Sequence, residues 1–316
     1  MTEIPFVFLL TGFVYYSIKY LYETKTKDII IASLFLAFGI LTRPFALYLI
    51  IPLFALIIAV KFGDWKGILR HSLLAALVCG VVLAPWIYKN VQQYHSASLQ
   101  YLSGIALWTN VYKVDKLPIV DSQMLQKEKQ LIKAHPAESY IDAYKTLEAA
   151  GYSPAEYDRA LTAISLESIK AHPITYISKT AKNFIKLSLY PKYAFGDYLV
   201  IDQNENLRPN NYSRYFYYAF NDLAHKVNYP VILLTLLGIS GIAMSLVSDD
   251  KKRKIATWFI AAIILACLAI PAATIIPNVR YRIVIDQLLM LFASYAFLIF
   301  WRRLQVVEKI KKIFAG

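Results

Sequence analysis

The sequence is poor in charge and in cysteine. Only 17% of its 316 residues are charged, and it holds two cysteines. Ordinary soluble domains carry about 25% charged residues, so a soluble globular enzyme, a disordered chain and a coiled coil are excluded. Two cysteines cannot build a disulfide scaffold. The first apolar run has no basic segment before it, so no cleavable signal peptide is recognised. What the chain has instead is apolar bulk: 58% hydrophobic residues and a mean hydropathy of +0.44. Length alone allows about two domains, and most of that length is membrane-like.

A helix needs about 20 mostly apolar residues to cross about 30 Å of hydrocarbon. Seven segments qualify as predicted spans: Ile4–Tyr22, Ile29–Leu41, Phe45–Val60, Leu69–Tyr88, Tyr229–Val247, Ile255–Ile275 and Ile283–Trp301. The second is short and is expected to lie at an angle with its neighbour. The predicted fold class is therefore all-α. Residues 1–88 form a four-helix transmembrane region and residues 89–228 a mainly helical extracytoplasmic domain. Residues 229–301 form a three-helix transmembrane region, and residues 302–316 a basic cytoplasmic tail.

Charge sets the orientation. Alternate loops and the tail carry 15 of the 34 cations (Lys19, Lys61, the 251–254 cluster and Arg302 among them) and six of the 21 acids. The other side keeps 19 cations and 15 acids. Basic short loops stay in the cytoplasm. The tail is predicted inside, and the N-terminus and residues 89–228 outside a plasma membrane. Topology thus accounts for the net charge of +13. Nucleic acid would need a clustered basic face on a folded domain, so it is not expected as a partner.

The outer segment is too long for a plain connection. Met124–Lys133 is helical in composition, and Ser153-Pro154-Ala155-Glu156 resembles a helix start. Ile174, Ile177, Ala181, Phe184 and Ser188 recur at helical spacing, with Lys179, Lys182 and Lys186 on another face. Such a helix fits the membrane surface and equally fits packing on the domain core. Ile-Lys-Ala-His-Pro occurs at 132–136 and 169–173, too few copies for a solenoid. Each copy is read as ending one helix and starting the next. His135 and His172 lack partners at ligand spacing and are read as structural. The aromatic stretch from Tyr190 to Phe220 reads as an interfacial belt. Sugar stacking is the alternative there.

The informative cations are on the wrong side for topology. Arg43 sits in the hairpin Leu41-Thr42-Arg43-Pro44, Lys89 and Asn90 follow the fourth span, and Arg280 and Arg282 bracket Tyr281 at the seventh. All are expected at one depth, the outer headgroup level. Positive charge there calls for a compensating role, and anion binding supplies one. Arginine forks match phosphate geometry. A cation 4 Å from a phosphate charge gains about 4 kcal/mol at an effective dielectric of about 20. The competing explanation is snorkelling to lipid headgroups.

Four motifs resemble the multi-spanning GT-C glycosyltransferases, in particular the family 39-like, dolichyl-phosphate-mannose protein mannosyltransferase-related enzymes of prokaryotic membranes. Thr2-Glu3-Ile4-Pro5-Phe6 resembles the Glu-containing start of a mid-protein span. Phe38-Gly39-Ile40-Leu41-Thr42-Arg43-Pro44 is similar to a Gly-x-x-x-Arg-Pro hairpin. Ala84-Pro85-Trp86-Ile87-Tyr88-Lys89-Asn90 is similar to a Pro-Trp-x-x-Arg-Asn exit, with Lys89 in place of Arg. Arg280-Tyr281-Arg282-Ile283 resembles an Arg-Tyr-Arg entry, and His172-Pro173 with Tyr176 fits the outer domain.

The resemblance implies transfer of a sugar from a polyprenyl-phosphate carrier to a glycan, lipid or protein acceptor outside the cytoplasm. An acidic residue in the first outer loop would act as general base. Arg43, Lys89, Arg280 and Arg282 would hold the departing lipid phosphate, supported by Glu3, Asn90 and Tyr281. The family's catalytic acid and first spans have no counterpart here. The base is therefore expected upstream of Met1, on missing sequence or an N-terminal companion polypeptide, and the chain alone is expected to be inactive. Apart from the lipid-linked sugar donor, no cofactor is assigned, and a divalent metal is left open. A non-catalytic scaffold binding lipid-linked glycans is the alternative. A transporter is a lesser one, since Pro52 and Pro271 interrupt spans but no repeated half or buried charge pair is visible. Asp286 is expected to pair with Arg282 at i,i+4.

Overall fold

In a computed structural model of the chain, the structure describes residues 3–94, 97–99, 103–114, 117–134, 140–189, 231–274 and 279–314. Those residues are mostly helical, with no strand among them. The order is α1 (Glu3–Glu23), α2 (Thr26–Thr42), a 3-10 turn (Pro44–Leu49), α3 (Ile50–Val60) and α4 (Trp65–Tyr94). Then come α5 (Ser103–Trp108), a π turn (Thr109–Val114), α6 (Gln126–Ala134), α7 (Tyr140–Ala149), α8 (Pro154–Ala171) and α9 (Pro173–Leu189). Helices α10 (Val231–Leu246), α11 (Lys251–Thr274) and α12 (Val279–Phe314) complete it.

Among the described residues, four helices are long and apolar enough to cross a membrane: α1, α4, α11 and the Val284–Trp301 part of α12. The apolar helices Pro44–Val60 and Val231–Leu246 are shorter, and α2 has 17 residues. The described part of each apolar segment read from the sequence is thus helical, and among the described residues four helices have the length of a span.

The long helices share one core. Phe6, Leu10, Phe13, Ile29, Leu36, Leu53, Ile263 and Leu288 are buried in it. Helices α1 and α2 form an antiparallel hairpin closed by Thr24 and Lys25. Thr24 adopts φ +56°, a left-handed conformation that costs a β-branched residue energy. Its N–H donates to the Tyr20 carbonyl at 2.8 Å, which caps α1 and helps fix the turn. Absent side chains allow two close approaches. Gly12 leaves space for the Phe35 ring against α1, and a Cβ on Gly241 of α10 would strike the backbone of Phe292 in α12. Small residues at such crossings are how helices pack where lipid removes the hydrophobic drive between them.

A second core lies in α5 to α8. Ile105, Trp108, Ile132, Ala143, Leu147, Tyr157, Leu161 and Ile164 are buried together. Helix α8 starts where Ser153 and Pro154 predicted. The Glu156 carboxylate accepts from the Ser153 N–H at 2.8 Å and its hydroxyl at 2.7 Å. Helix α8 ends at Ala171 and α9 starts at Pro173, so the second Ile-Lys-Ala-His-Pro divides two helices. His172 caps α8, its N–H donating to the Ser168 carbonyl. His135 and the aromatic stretch after Leu189 lie outside the described residues. Burial pushes the Tyr112 phenol up to about 12 despite its bond to Ser168. It therefore stays protonated, donating to the Ile164 carbonyl at 3.1 Å and sharing a 2.5 Å bond with the Ser168 hydroxyl.

Candidate functional site

The helix ends nearest Glu3 form a rim, and three independent contacts fix what lies there. First, Arg43 caps α2, its N–H donating to the Gly39 carbonyl at 2.8 Å. The following proline ends the helix and turns the chain into the 3-10 turn. The Arg43 guanidinium, only 9% exposed as a residue, donates from Nη2 to Glu3 Oε1 at 2.6 Å. Phe6 and Phe45 meet edge-to-face at 5.4 Å just beside it.

Second, α2 and α4 run parallel in a fixed register. The Thr26 hydroxyl meets His71 Nε2 at 3.4 Å, and Cys79 Sγ donates to the Ser33 carbonyl at 3.5 Å. These contacts join residues 45 and 46 apart in sequence. The same offset brings Lys89 level with Arg43. Lys89 is exposed and sits over the Trp86 ring at 5.4 Å. Asn90 is buried and donates to the Ser98 carbonyl at 2.8 Å, while Trp86 Nε1 reaches the Leu99 carbonyl at 3.4 Å. The Pro-Trp-x-x-Lys-Asn segment thus anchors the chain leaving α4.

Third, α12 runs parallel to α1. Gln287 accepts from the Thr11 hydroxyl at 3.1 Å and donates to the Val7 carbonyl at 3.4 Å. The backbone of Arg280, Tyr281 and Arg282, one to two turns earlier in α12, is therefore level with Glu3. The side chains of these three residues lie outside the described part of the structure, as does the Arg282 side of a pair with Asp286. The backbone positions of all four motifs share one depth. Among side chains, Glu3 and Arg43 are in contact, and Lys89 instead rests on its own helix.

Below the rim lies an apolar cleft of about 320 Å³ between α3 and α4, lined by Ile50, Leu53, Phe54, Ala75, Cys79 and Leu83. Leu83 is about 9 Å down α4 from Lys89, at the rise of an α-helix.

Sequence reasoning missed one junction. The carbonyl of Ala273, in the last turn of α11, has no donor four residues on within the helix. It accepts instead from Asn110 Nδ2 at 2.7 Å and from the Tyr176 hydroxyl at 2.6 Å. One side chain of the π turn and one of α9 thereby cap a helix long and apolar enough to span a membrane. Tyr176 carried a weak signal through the resemblance; Asn110, on a π turn, carried none. Three or more His, Cys, Asp or Glu side chains do not gather at ligand distance among the described residues.

The chain matches no family model, no curated protein and no solved structure. Chemically, the rim offers a buried guanidinium, an exposed ammonium and the start of an Arg-Tyr-Arg helix above an apolar cleft. That set suits an anionic head on an apolar tail.

Proposed function

We propose that this chain binds a polyprenyl-phosphate-linked sugar at the rim and serves its transfer to an acceptor outside the cytoplasm. In this reading seven helices span a plasma membrane, the rim and the α5–α8 unit face outward, and the tail is cytoplasmic. The observation that carries it is the common depth of Arg43, Lys89 and the Arg280–Arg282 backbone. Cations gathered at one level suit one phosphate. The cleft beneath accepts an isoprenoid tail. A site facing away from nucleotide sugars needs a lipid-linked donor.

The test is binding by the full chain in lipid nanodiscs. A polyprenyl-phosphate hexose is compared with the same lipid lacking phosphate. Arg43→Ala and Arg282→Ala each weaken binding of the phosphorylated lipid alone. Unchanged binding in both would favour snorkelling.

One observation favours a second reading, in which the chain binds the glycolipid without performing the chemistry. The rim carboxylate of Glu3 is engaged by Arg43 at 2.6 Å, so it is poorly placed to take a proton from an acceptor hydroxyl. Sugar transfer by the isolated chain would exclude this reading.

A further inference from the structure

We infer that α9 is an interfacial membrane helix that binds anionic phospholipid along its exposed face. One of its ends is tied at the rim and the other lower on the bundle. The Tyr176 hydroxyl donates to Ala273 at the end of α11, and the Ser188 carbonyl accepts from the Thr235 hydroxyl, 3.2 Å away, near the start of α10. Between them α9 covers about 18 Å. The Ser245 hydroxyl meets the Thr257 hydroxyl at 2.7 Å, so Thr235 in the antiparallel α10 is level with Cys267, about 9 Å below Ala273. Helix α9 therefore descends obliquely against the flank of α11, with Leu187 inserted into the long-helix core.

Around its axis α9 divides into three sectors, at about 100° per residue. The first carries Tyr176, Thr180, Asn183 and Leu187 and faces protein, with Asn183 and Leu187 buried. The second carries Ile174, Ile177 and Ile185, exposed by 83%, 66% and 51%. The third carries Lys179 and Lys182. A helix on a water-soluble protein turns its isoleucines inward and its amides outward. Here Asn183 is buried beside Leu187 and Phe184 while three isoleucines are bare. Lipid is the surroundings in which that order is stable. Leu233 and Leu236 of α10 are exposed as well. Around the helix Lys182 follows Ile185 by about 60°, and Lys179 by a further 60° or so, toward the protein-facing sector. Acyl chains would lie against the isoleucines, and negatively charged phosphates against the lysines.

This inference stands apart from the sugar-donor reading, and its test uses no sugar. The full chain is reconstituted in phosphatidylcholine nanodiscs with a minority of phosphatidylglycerol. A nitroxide is placed singly through Ile174→Cys, Ile177→Cys, Ile185→Cys or Lys182→Cys. Native Cys79 and Cys267 are buried, so unsubstituted protein is the labelling blank. At the three isoleucine positions, oxygen collides with the label more than a water-soluble nickel complex does; at Lys182 the preference reverses. Free access of nickel to the isoleucine positions would overturn the inference. So would shielding from both reagents, the mark of a second protein surface. The anionic preference is read separately. Lys179→Glu with Lys182→Glu lowers co-purified phosphatidylglycerol on the order of tenfold, as expected for two basic residues at a charged bilayer surface. Unchanged retention would refute that part. Each variant is first checked for monodispersity and an unshifted melting curve.

Discussion

Arg43 Nη2 lies 2.6 Å from Glu3 Oε1, joining the end of α2 to the start of α1. The acid stands at a helix N-terminus and the base at a helix C-terminus, so each also complements its own helix dipole. The pair closes the α1–α2 hairpin at the end opposite Thr24. It also ties up one edge of the guanidinium that the sequence nominates for phosphate.

The two roles of Arg43 separate experimentally. Removing Glu3 leaves a nearly buried cation without its carboxylate, and breaking such a pair costs about 3–5 kcal/mol. Glu3→Gln keeps a hydrogen-bonding carbonyl and is expected to cost less, about 1–3 kcal/mol. If Arg43 grips phosphate, Glu3→Gln also tightens binding of the polyprenyl-phosphate lipid while lowering the melting temperature. Opposite signs in the melting curve and the binding isotherm are the expected outcome. Parallel losses would make the pair purely structural.

Lys129 links α6 to α8. It is 3% exposed and donates to Glu167 at 2.6 Å and to the Ser122 hydroxyl at 2.7 Å. Lys129→Ala is expected to destabilise the α5–α8 unit by about 1–3 kcal/mol. The hydrogen bond from Lys129, then that from Ser122, holds the Glu167 carboxyl below the usual carboxylate range. A lowered folded pKa means the pair's stabilisation is complete above the unfolded carboxylate value. It is lost as pH falls through the folded one. Hydrogen exchange of α8 across that acidic window should show the loss in the native protein and a smaller one in Lys129→Ala.

Asn110 and Tyr176 share one acceptor, the Ala273 carbonyl. Either alone still satisfies it, so Asn110→Ala and Tyr176→Phe should each cost about 0.5–1.5 kcal/mol. The double variant leaves the carbonyl bare and should cost more than the sum. A double-mutant cycle by denaturation in detergent measures the difference. Strict additivity would mean that water or lipid replaces the donors freely.

Gly241 lies against the Phe292 backbone, where no Cβ fits. Gly241→Ala is expected to push α10 from α12 and cost about 1–3 kcal/mol. Gly80 has open space around its missing Cβ, so Gly80→Ala in α4 should instead be neutral or slightly stabilising. Paired melting curves in one detergent distinguish the two.

Much of this architecture was legible without coordinates, for local reasons. Seven apolar runs became helices because a buried or lipid-facing backbone must satisfy its hydrogen bonds within the segment. Ser153, Pro154 and Glu156 marked the start of α8 because capping is a matter of adjacent residues. The common depth of Arg43, Lys89 and Arg280 followed from counting along spans, since rise per residue is constant.

The partners of those side chains were not legible, because partnership depends on which helix faces which. That Glu3 would hold Arg43 was one possibility among several. That Lys89 would rest on Trp86 rather than join them depends on which way α4 turns its exposed side. Asn110 gave no sign of capping α11, since its acceptor lies 163 residues away. Helix α9 shows the division most clearly. Its amphipathic period is written in the sequence, but period alone does not say which face meets protein. Packing against α10 and α11 put Asn183 inside and left Ile174 and Ile177 bare. Spacing along the chain determined where helices form and which of their charged ends lie level with one another. Only the three-dimensional contacts decided how each helix is rotated, because rotation is set by neighbours distant in sequence.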